Sequence, residues 1–302
     1  MSVPAAYVGV ILIWSTTPLA IRWSGDGLGF LLGVSLRMSL GFALVAAIIA
    51  VMRTDWPREH AALRVYAISG AVLFVAMTLV YWAARHVPTG WISLVFGLSP
   101  LVTGLLAVRY LDEAAPGAVR LTGFALAFGG LVLVFAQGFE LDGGAVLGLA
   151  AVLGGVVVHC AGAVWLKSAM GRIPAISLNA GTLAFALPLW WLLVVVAGEP
   201  VAEVPPHALG AIAYLAIVGT ALGFPLYFYV LRQVAASRVA LITLVTPVIA
   251  LALGAWLNDE PLGARVLGGA ALVLGGLAVY QFGARRERRR AAFGTLKAVN
   301  ET

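Results

Sequence analysis

Charge is scarce in this chain. Only 11% of its 302 residues are Asp, Glu, Lys or Arg, and 62% are hydrophobic; a soluble domain carries roughly 25% charged residues. Such a chain cannot cover itself with polar groups in water, so its solvent is lipid. Cysteine is nearly absent: the single Cys160 excludes an intramolecular disulfide and any cysteine-rich metal site. Histidine is sparse and scattered, with His60, His86, His159 and His207 in different segments. No paired carboxylates or His/Asp set accompany them, which argues against a catalytic or metal centre. A P-loop, a repeated selectivity filter and a ring of like residues are missing too, which disfavours direct ATP hydrolysis and a channel.

What remains is a series of apolar runs. A helix needs roughly 20 apolar residues to cross the bilayer, and reading from charge to charge predicts ten spans: Ala5–Ile21, Phe30–Met52, Val65–Ala84, Thr89–Val108, Val119–Ala136, Ala145–Leu166, Ile173–Ala197, His207–Leu231, Val239–Leu257 and Val266–Phe282. The first run lacks a basic leader and a small-residue cleavage site, so it reads as a span and not a signal peptide. With both termini in the cytoplasm, fifteen Lys and Arg fall on that side, among them the tail Arg285-Arg286-Glu287-Arg288-Arg289-Arg290. Only Arg22, Arg85 and Arg265 fall outside, and Arg37 lies within a span. That asymmetry is the positive-inside pattern, and it accounts for the net charge of +6 better than a nucleic-acid partner does. All thirteen acidic residues lie in loops, span ends or the tail.

The chain also repeats itself. Residues from Arg85 match those from Arg232, 147 positions later: Val87 with Val234, Leu94 with Leu241, Pro100 with Pro247, and Asp112-Glu113 with Asp259-Glu260. After a one-residue deletion Gly117, Leu121, Gly123 and Gly129-Gly130-Leu131 meet Gly263, Leu267, Gly269 and Gly275-Gly276-Leu277. Each copy holds five spans, an odd number, so the second enters the membrane from the opposite side. Inverted repeats are an architecture of secondary transporters, whose substrate sites lie between the halves near the midplane.

Trp14-Ser15-Thr16-Thr17-Pro18 in the first span and the repeated Pro…Asp-Glu…Gly signature resemble the EamA-type transporters of the drug/metabolite transporter superfamily. Within that group the chain is similar to bacterial aromatic amino acid exporters. The resemblance implies export of small metabolites, amino acids included, from the bacterial cytoplasm. The small multidrug branch of the superfamily uses a membrane glutamate in the first helix; Ile13 to Pro18 has none. A dedicated binder of organic cations and an acid-based proton relay are therefore disfavoured.

Polar and aromatic residues inside spans are the candidates for the pathway. Arg37 is costly there, roughly 2.5–3.5 kcal/mol on insertion scales, so it should face a wet cavity and attract a substrate carboxylate, or else tie to backbone carbonyls. Asn179 holds a related place in the second repeat. His159, beside Cys160, is a candidate cavity or proton-exchanging group; an interhelical hydrogen bond is the plainer alternative. Trp14 stands mid-span beside Pro18, which frees a backbone carbonyl one turn back. Thr17 belongs to the same segment. Thr78, Tyr81 and Arg85 share one face, and Tyr227 beside Pro225 occupies the related part of the eighth span. Trp23, Trp56, Trp82, Trp91, Trp165 and Trp256 fall near span ends, where an aromatic belt explains them. Pro100 and Pro247 are candidate hinges, with static kinks as the alternative. The two Asp-Glu pairs read as caps and loop ties. Gly123, Ala127 and Gly130, echoed by Gly269 and Gly276, form small-residue faces for close helix packing.

The expectation is therefore an all-α membrane protein of ten transmembrane helices in two inverted five-helix repeats, residues 1–137 and 138–284, followed by a basic cytoplasmic tail, 285–302. It is expected to be a multi-pass protein of the bacterial inner membrane that exports amino acids, aromatic or otherwise neutral, by alternating access, with substrate-pathway residues Trp14, Thr17, Arg37, Thr78, Tyr81, His159, Asn179 and Tyr227. No enzyme activity, cofactor, metal or nucleic acid is expected. The partners are a small molecule and the lipid bilayer, and the chain is expected to be a monomer, with a dimer as the alternative. The competing function is a membrane-embedded enzyme acting on a lipid-linked substrate.

Overall fold

The computed structural model describes residues 2–110, 117–141, 143–234, 239 and 242–300, without the side chains at 107, 135, 137–141, 244 and 288–300. Among the described residues the only regular structure is helical. The helices are α1 (Val3–Ser24), α2 (Phe30–Met52), α3 (His60–Ala83), α4 (Thr89–Phe96), α5 (Ser99–Tyr110), α6 (Ala118–Leu141), α7 (Gly143–Ala169), α8 (Ala175–Ala197), α9 (Pro206–Tyr214), a π-helical segment Leu215–Gly223, α10 (Phe224–Gln233), α11 (Ile242–Leu257) and α12 (Ala264–Asn300). Among the described residues eight helical segments are long and apolar enough to cross a membrane, and two shorter apolar helices, Ala118–Val134 and Val245–Leu257, accompany them.

Two of those segments, Thr89–Tyr110 and Pro206–Gln233, are not continuous α-helices. The first breaks at Gly97–Leu98, between α4 and α5. Pro100 has no N–H for the Phe96 carbonyl, and its ring crowds that carbonyl, so the helix cannot run through. The second changes to π geometry between α9 and α10, and Pro225 begins the regular helix that follows. Such π segments insert extra residues per turn and recur at functional sites. Pro18 and Pro247 sit inside α1 and α11.

Carboxylates outside the helices secure helix starts across the chain. Glu260 accepts hydrogen bonds from the Thr89 N–H (2.9 Å) and the Gly90 N–H (3.3 Å), and so caps α4. Its Oε1 also accepts from Asn258 Nδ2 at 3.0 Å. Glu199 accepts from the Leu31 N–H at 3.2 Å, at the start of α2, and pairs with Arg85 at 3.4 Å. A negative charge at a helix N-terminus satisfies orphan N–H groups and favours the dipole. The capping role read from sequence for the second acidic pair therefore belongs to Glu260, while Asp259 takes a left-handed turn conformation (φ 49°). Asp112-Glu113 lies outside the described residues.

Helices α6 and α12 pack backbone against backbone through glycines on both helices. A Cβ at Gly130 would stand 2.5 Å from the Gly269 carbonyl oxygen, and one at Gly276 would stand 2.6 Å from that of Gly123. The small-residue faces thus meet each other within one chain. Arg120 of α6 reinforces the pair by donating to Tyr280 (2.6 Å) and Glu287 (3.3 Å) of α12. This pair packs at its edges on α7 and α11, while α1–α4, α7, α8, α10 and α11 pack among themselves around a central space. Trp91 corrects the belt assignment: it is 2% exposed in the core, not lipid-facing, whereas Trp256 is 79% exposed as a belt residue would be.

Candidate substrate cavity

The central cavity encloses about 1040 Å³ of empty space, part of it open to solvent. Its lining holds two chemically different groups. One is cationic: Arg37, on α2, lines the cavity though it is only 2% exposed. Its Nε donates to the Thr220 hydroxyl at 3.0 Å, and Nη1 to the Tyr81 hydroxyl at 3.1 Å. Thr220 belongs to the π segment, which approaches α2 closely because residue 41, one turn beyond Arg37, is glycine: a Cβ there would stand 2.5 Å from Thr220 Cγ2. Both partners are neutral hydroxyls, and among the described residues no carboxylate pairs with Arg37. The guanidinium has five N–H donors, so these two bonds leave capacity for an anion.

The other group is aromatic. Trp14 packs on Tyr227 (ring centroids 5.0 Å) and on His159 (6.0 Å), and His159 on Tyr227 (5.6 Å). Phe96 meets His159 edge-on at 6.0 Å, and Phe228 continues the wall 5.6 Å from Tyr227. The Tyr227 hydroxyl is 3.5 Å from His159 Nε2, long for a hydrogen bond. Hydroxyls from Thr17, Ser69, Ser93, Thr182, Thr243 and Thr246 punctuate the apolar lining. Several are engaged locally: Thr17 donates to the Ile13 carbonyl (2.7 Å) and Thr182 to Ser69 Oγ (3.1 Å). Thr16 and Tyr214 share a 2.6 Å bond that ties α1 to α9 beside the cavity. Arg37 is the one permanently charged side chain among the lining residues.

Of the residues expected in the pathway, Trp14, Thr17, Arg37, His159 and Tyr227 line this cavity together. Tyr81 stands behind it as a support for Arg37, 1% exposed. Thr78 faces away and accepts from Trp190 Nε1 at 2.9 Å. Asn179 is fully buried behind the wall, donating to the Thr220 carbonyl at 2.9 Å while its Oδ1 has no partner. Arg85, grouped with Thr78 and Tyr81 by spacing, instead pairs with Glu199 and lies over the Phe30 ring. Pro100 follows the α4–α5 break, and Pro247 lies near it: a Cβ on Gly97 would be 3.6 Å from Pro247 Cγ. Sequence reasoning missed Ser69, Thr182, Thr220, Phe224, Phe228, Thr243 and Thr246. Only Phe224 and Phe228 carried a signal, an aromatic residue on each side of Tyr227 near Pro225.

The sequence profile of the EamA-like transporter family matches residues 4–136 and again residues 146–281. The chain belongs to this family. Two EamA copies and apolar helices of spanning length make it a multi-pass membrane transporter. A Streptantibioticus cattleyicolor protein named as a probable terminal-alkyne amino-acid exporter is 32% identical over 295 residues, spanning 93% of this chain and 95% of that protein. An Archaeoglobus fulgidus protein named as a transporter is 26% identical over 272 residues, 88% of this chain and 94% of that one. A crystal structure 21% identical in sequence superposes with a TM-score of 0.71, over 94% of this chain and 99% of the other, so this EamA chain shares its fold.

Proposed function

We propose that this transporter exports a zwitterionic amino acid with an apolar side chain, by alternating access between two inverted five-helix repeats of the bacterial inner membrane, with both termini cytoplasmic. The observation that carries the reading is Arg37: a buried guanidinium on the cavity wall, held by two hydroxyls, with no carboxylate partner among the described residues. A substrate carboxylate would complete its set of partners. The aromatic wall, with Trp14 and Tyr227, would take the apolar side chain, and the lining hydroxyls would accept from the ammonium group. Trp14, Thr17, Arg37, His159 and Tyr227 are assigned to direct contact; Tyr81 and Asn179 are assigned to holding Arg37 and the π segment. The eight spanning segments and two shorter apolar helices support a count of ten, and an odd number per copy supports the inversion. Pro100 and Pro247 are proposed as the flexing points: Pro100 follows the α4–α5 break, and Pro247, inside α11, comes close to that break at Gly97. The outward direction is supported by the name of the Streptantibioticus relative.

The test is uptake of radiolabelled tryptophan, phenylalanine and propargylglycine into proteoliposomes, with and without a pH gradient. Saturable flux of at least one, outcompeted by unlabelled substrate but not by its decarboxylated amine, is expected. Equal competition by the amine would remove Arg37 from the carboxylate role.

A further inference from the structure

The charges around the cavity do not balance those of an amino acid. Arg37 supplies one full positive charge, and no Asp or Glu stands among the lining residues. No other segment brings one to that depth, since all thirteen acidic residues lie in loops, span ends or the tail. Bound to Arg37, a monocarboxylate makes a neutral pair. An amino acid brings its own ammonium as well, and leaves one positive charge in the cavity without a counter-charge. Resting on the Arg37 reading above, we propose a further activity: the same cavity binds and exports monocarboxylates that carry an apolar side chain and no amine, driven outward by the membrane potential.

Only the carboxylate has a prepared partner. Arg37 donates to Thr220 through Nε and to Tyr81 through Nη1, and among the described residues Nη2 makes no hydrogen bond. Residue 219 is glycine; a Cβ there would stand 3.0 Å from Nη2, so a side chain would crowd that nitrogen. Nη2 and the second N–H of Nη1 form an edge of the guanidinium that can take a carboxylate in two parallel bonds.

Nothing comparable awaits an ammonium. Thr17 and Ser69 donate to carbonyls of their own helices, those of Ile13 and Val65, and Thr182 donates to Ser69. Their lone pairs remain, but a neutral hydroxyl brings no charge. The faces of Trp14, Tyr227 and Phe228 attract a cation, yet such a contact returns only part of the cost of taking an ammonium out of water. Deleting the amine removes that cost and leaves the ring and carboxylate contacts in place.

Charge also bears on direction. The cell interior is negative, so a monoanion gains free energy on leaving it, whereas a zwitterion of zero net charge gains none. Over a full cycle Arg37 returns to its starting place, so the charge moved is the solute's alone. Export of a monoanion then needs neither a coupling ion nor an intramembrane carboxylate to carry one.

Three radiolabelled compounds with one phenyl ring separate the charges: phenylalanine, its 2-oxo analogue phenylpyruvate, and phenethylamine. Uptake is measured in proteoliposomes and in protein-free vesicles, with the potential set by a potassium gradient and valinomycin. Phenylpyruvate should enter saturably, with a KM no higher than that of phenylalanine. A potential of ~60 mV, vesicle interior positive, should raise its accumulation about tenfold, the ratio for one elementary charge. Phenylalanine accumulation should not change, and phenethylamine should compete with neither acid. Arg37→Gln should cut phenylpyruvate uptake about tenfold or more. If that variant does not fold, Gly219→Ala, which keeps the guanidinium and crowds Nη2, should raise the KM instead. Phenylalanine flux without uptake of or competition by phenylpyruvate would overturn this inference and leave the amino acid reading standing. Phenylpyruvate flux without phenylalanine flux would do the reverse. Flux of neither would overturn this inference, while tryptophan and propargylglycine still decide the amino acid reading. Phenylpyruvate uptake indifferent to the potential, or undiminished in the variant used, would overturn it as well.

Discussion

Arg37 sits where a charge is costly, and its neighbours are chosen to hold it without neutralising it. Tyr81 and Thr220 fix the plane of the guanidinium, and Gly41 admits the segment that brings Thr220 into reach. A charge-assisted hydrogen bond is worth about 1.5–3 kcal/mol, so Arg37→Gln should raise KM for a carboxylate substrate by roughly 10- to 100-fold, read in initial uptake rates. Arg37→Lys should recover only part of that, because an ammonium cannot reproduce the planar fork. Thr78 belongs to a different class. Its hydroxyl serves the Trp190 indole, so Trp190→Phe should lower stability by about 1 kcal/mol, seen as an earlier thermal transition, with KM unchanged. Arg37, Trp14, His159 and Tyr227 were legible in the sequence because a large polar or cationic group in mid-span must turn away from lipid. Ser69, Thr182 and Thr220 were not. A hydroxyl can satisfy itself on its own helix, as Ser69 does on the Val65 carbonyl, so its presence in a span says nothing about which way it faces.

At the scale of elements, the glycines of α6 and α12 set how near two helices can come. Gly130→Ala would drive a methyl group against the Gly269 carbonyl, whereas the adjacent Gly129 meets nothing within 4 Å. Gly130→Ala should therefore destabilise by about 1–3 kcal/mol, the usual cost of overpacking, and Gly129→Ala should not; thermal denaturation in detergent compares the two directly. Pro100→Ala restores the N–H that the Phe96 carbonyl lacks and should favour a continuous helix through Gly97–Leu98. If that break flexes during transport, the variant should lose kcat while retaining substrate affinity. Helix positions were readable from the lengths of the apolar runs. The break at Pro100 was visible as a proline. The π segment was not, because its apolar run Leu215–Gly223 reads like any other spanning stretch and no local periodicity marks the wider turn.

For the molecule as a whole, the excess of Lys and Arg near one set of helix ends predicts which side faces the cytoplasm. A C-terminal alkaline phosphatase fusion should be inactive, and a fluorescent protein at the same place should glow; the reverse pattern would invert the proposed orientation. Prolines, glycines and acidic residues recur in one register along the sequence, and the EamA-like family model matches it twice, over residues 4–136 and 146–281. How the two stretches hold each other was only half legible: the glycine faces were visible, but not that they meet. Nor could the sequence assign Glu260 to Thr89 and Gly90, some 170 positions away.

That last attachment, with the glycine seam of α6 and α12, bears on how such a chain is inherited and assembled. The peptide link at residue 142 contributes none of it. Made as two separate polypeptides, 1–141 and 143–302, the pieces should find each other in the bilayer and restore flux, while either alone should be degraded, the first with the starts of α2 and α4 bare and each with its seam facing lipid. The gene then carries two products in one reading frame, free to drift apart everywhere except where each is the other's missing part.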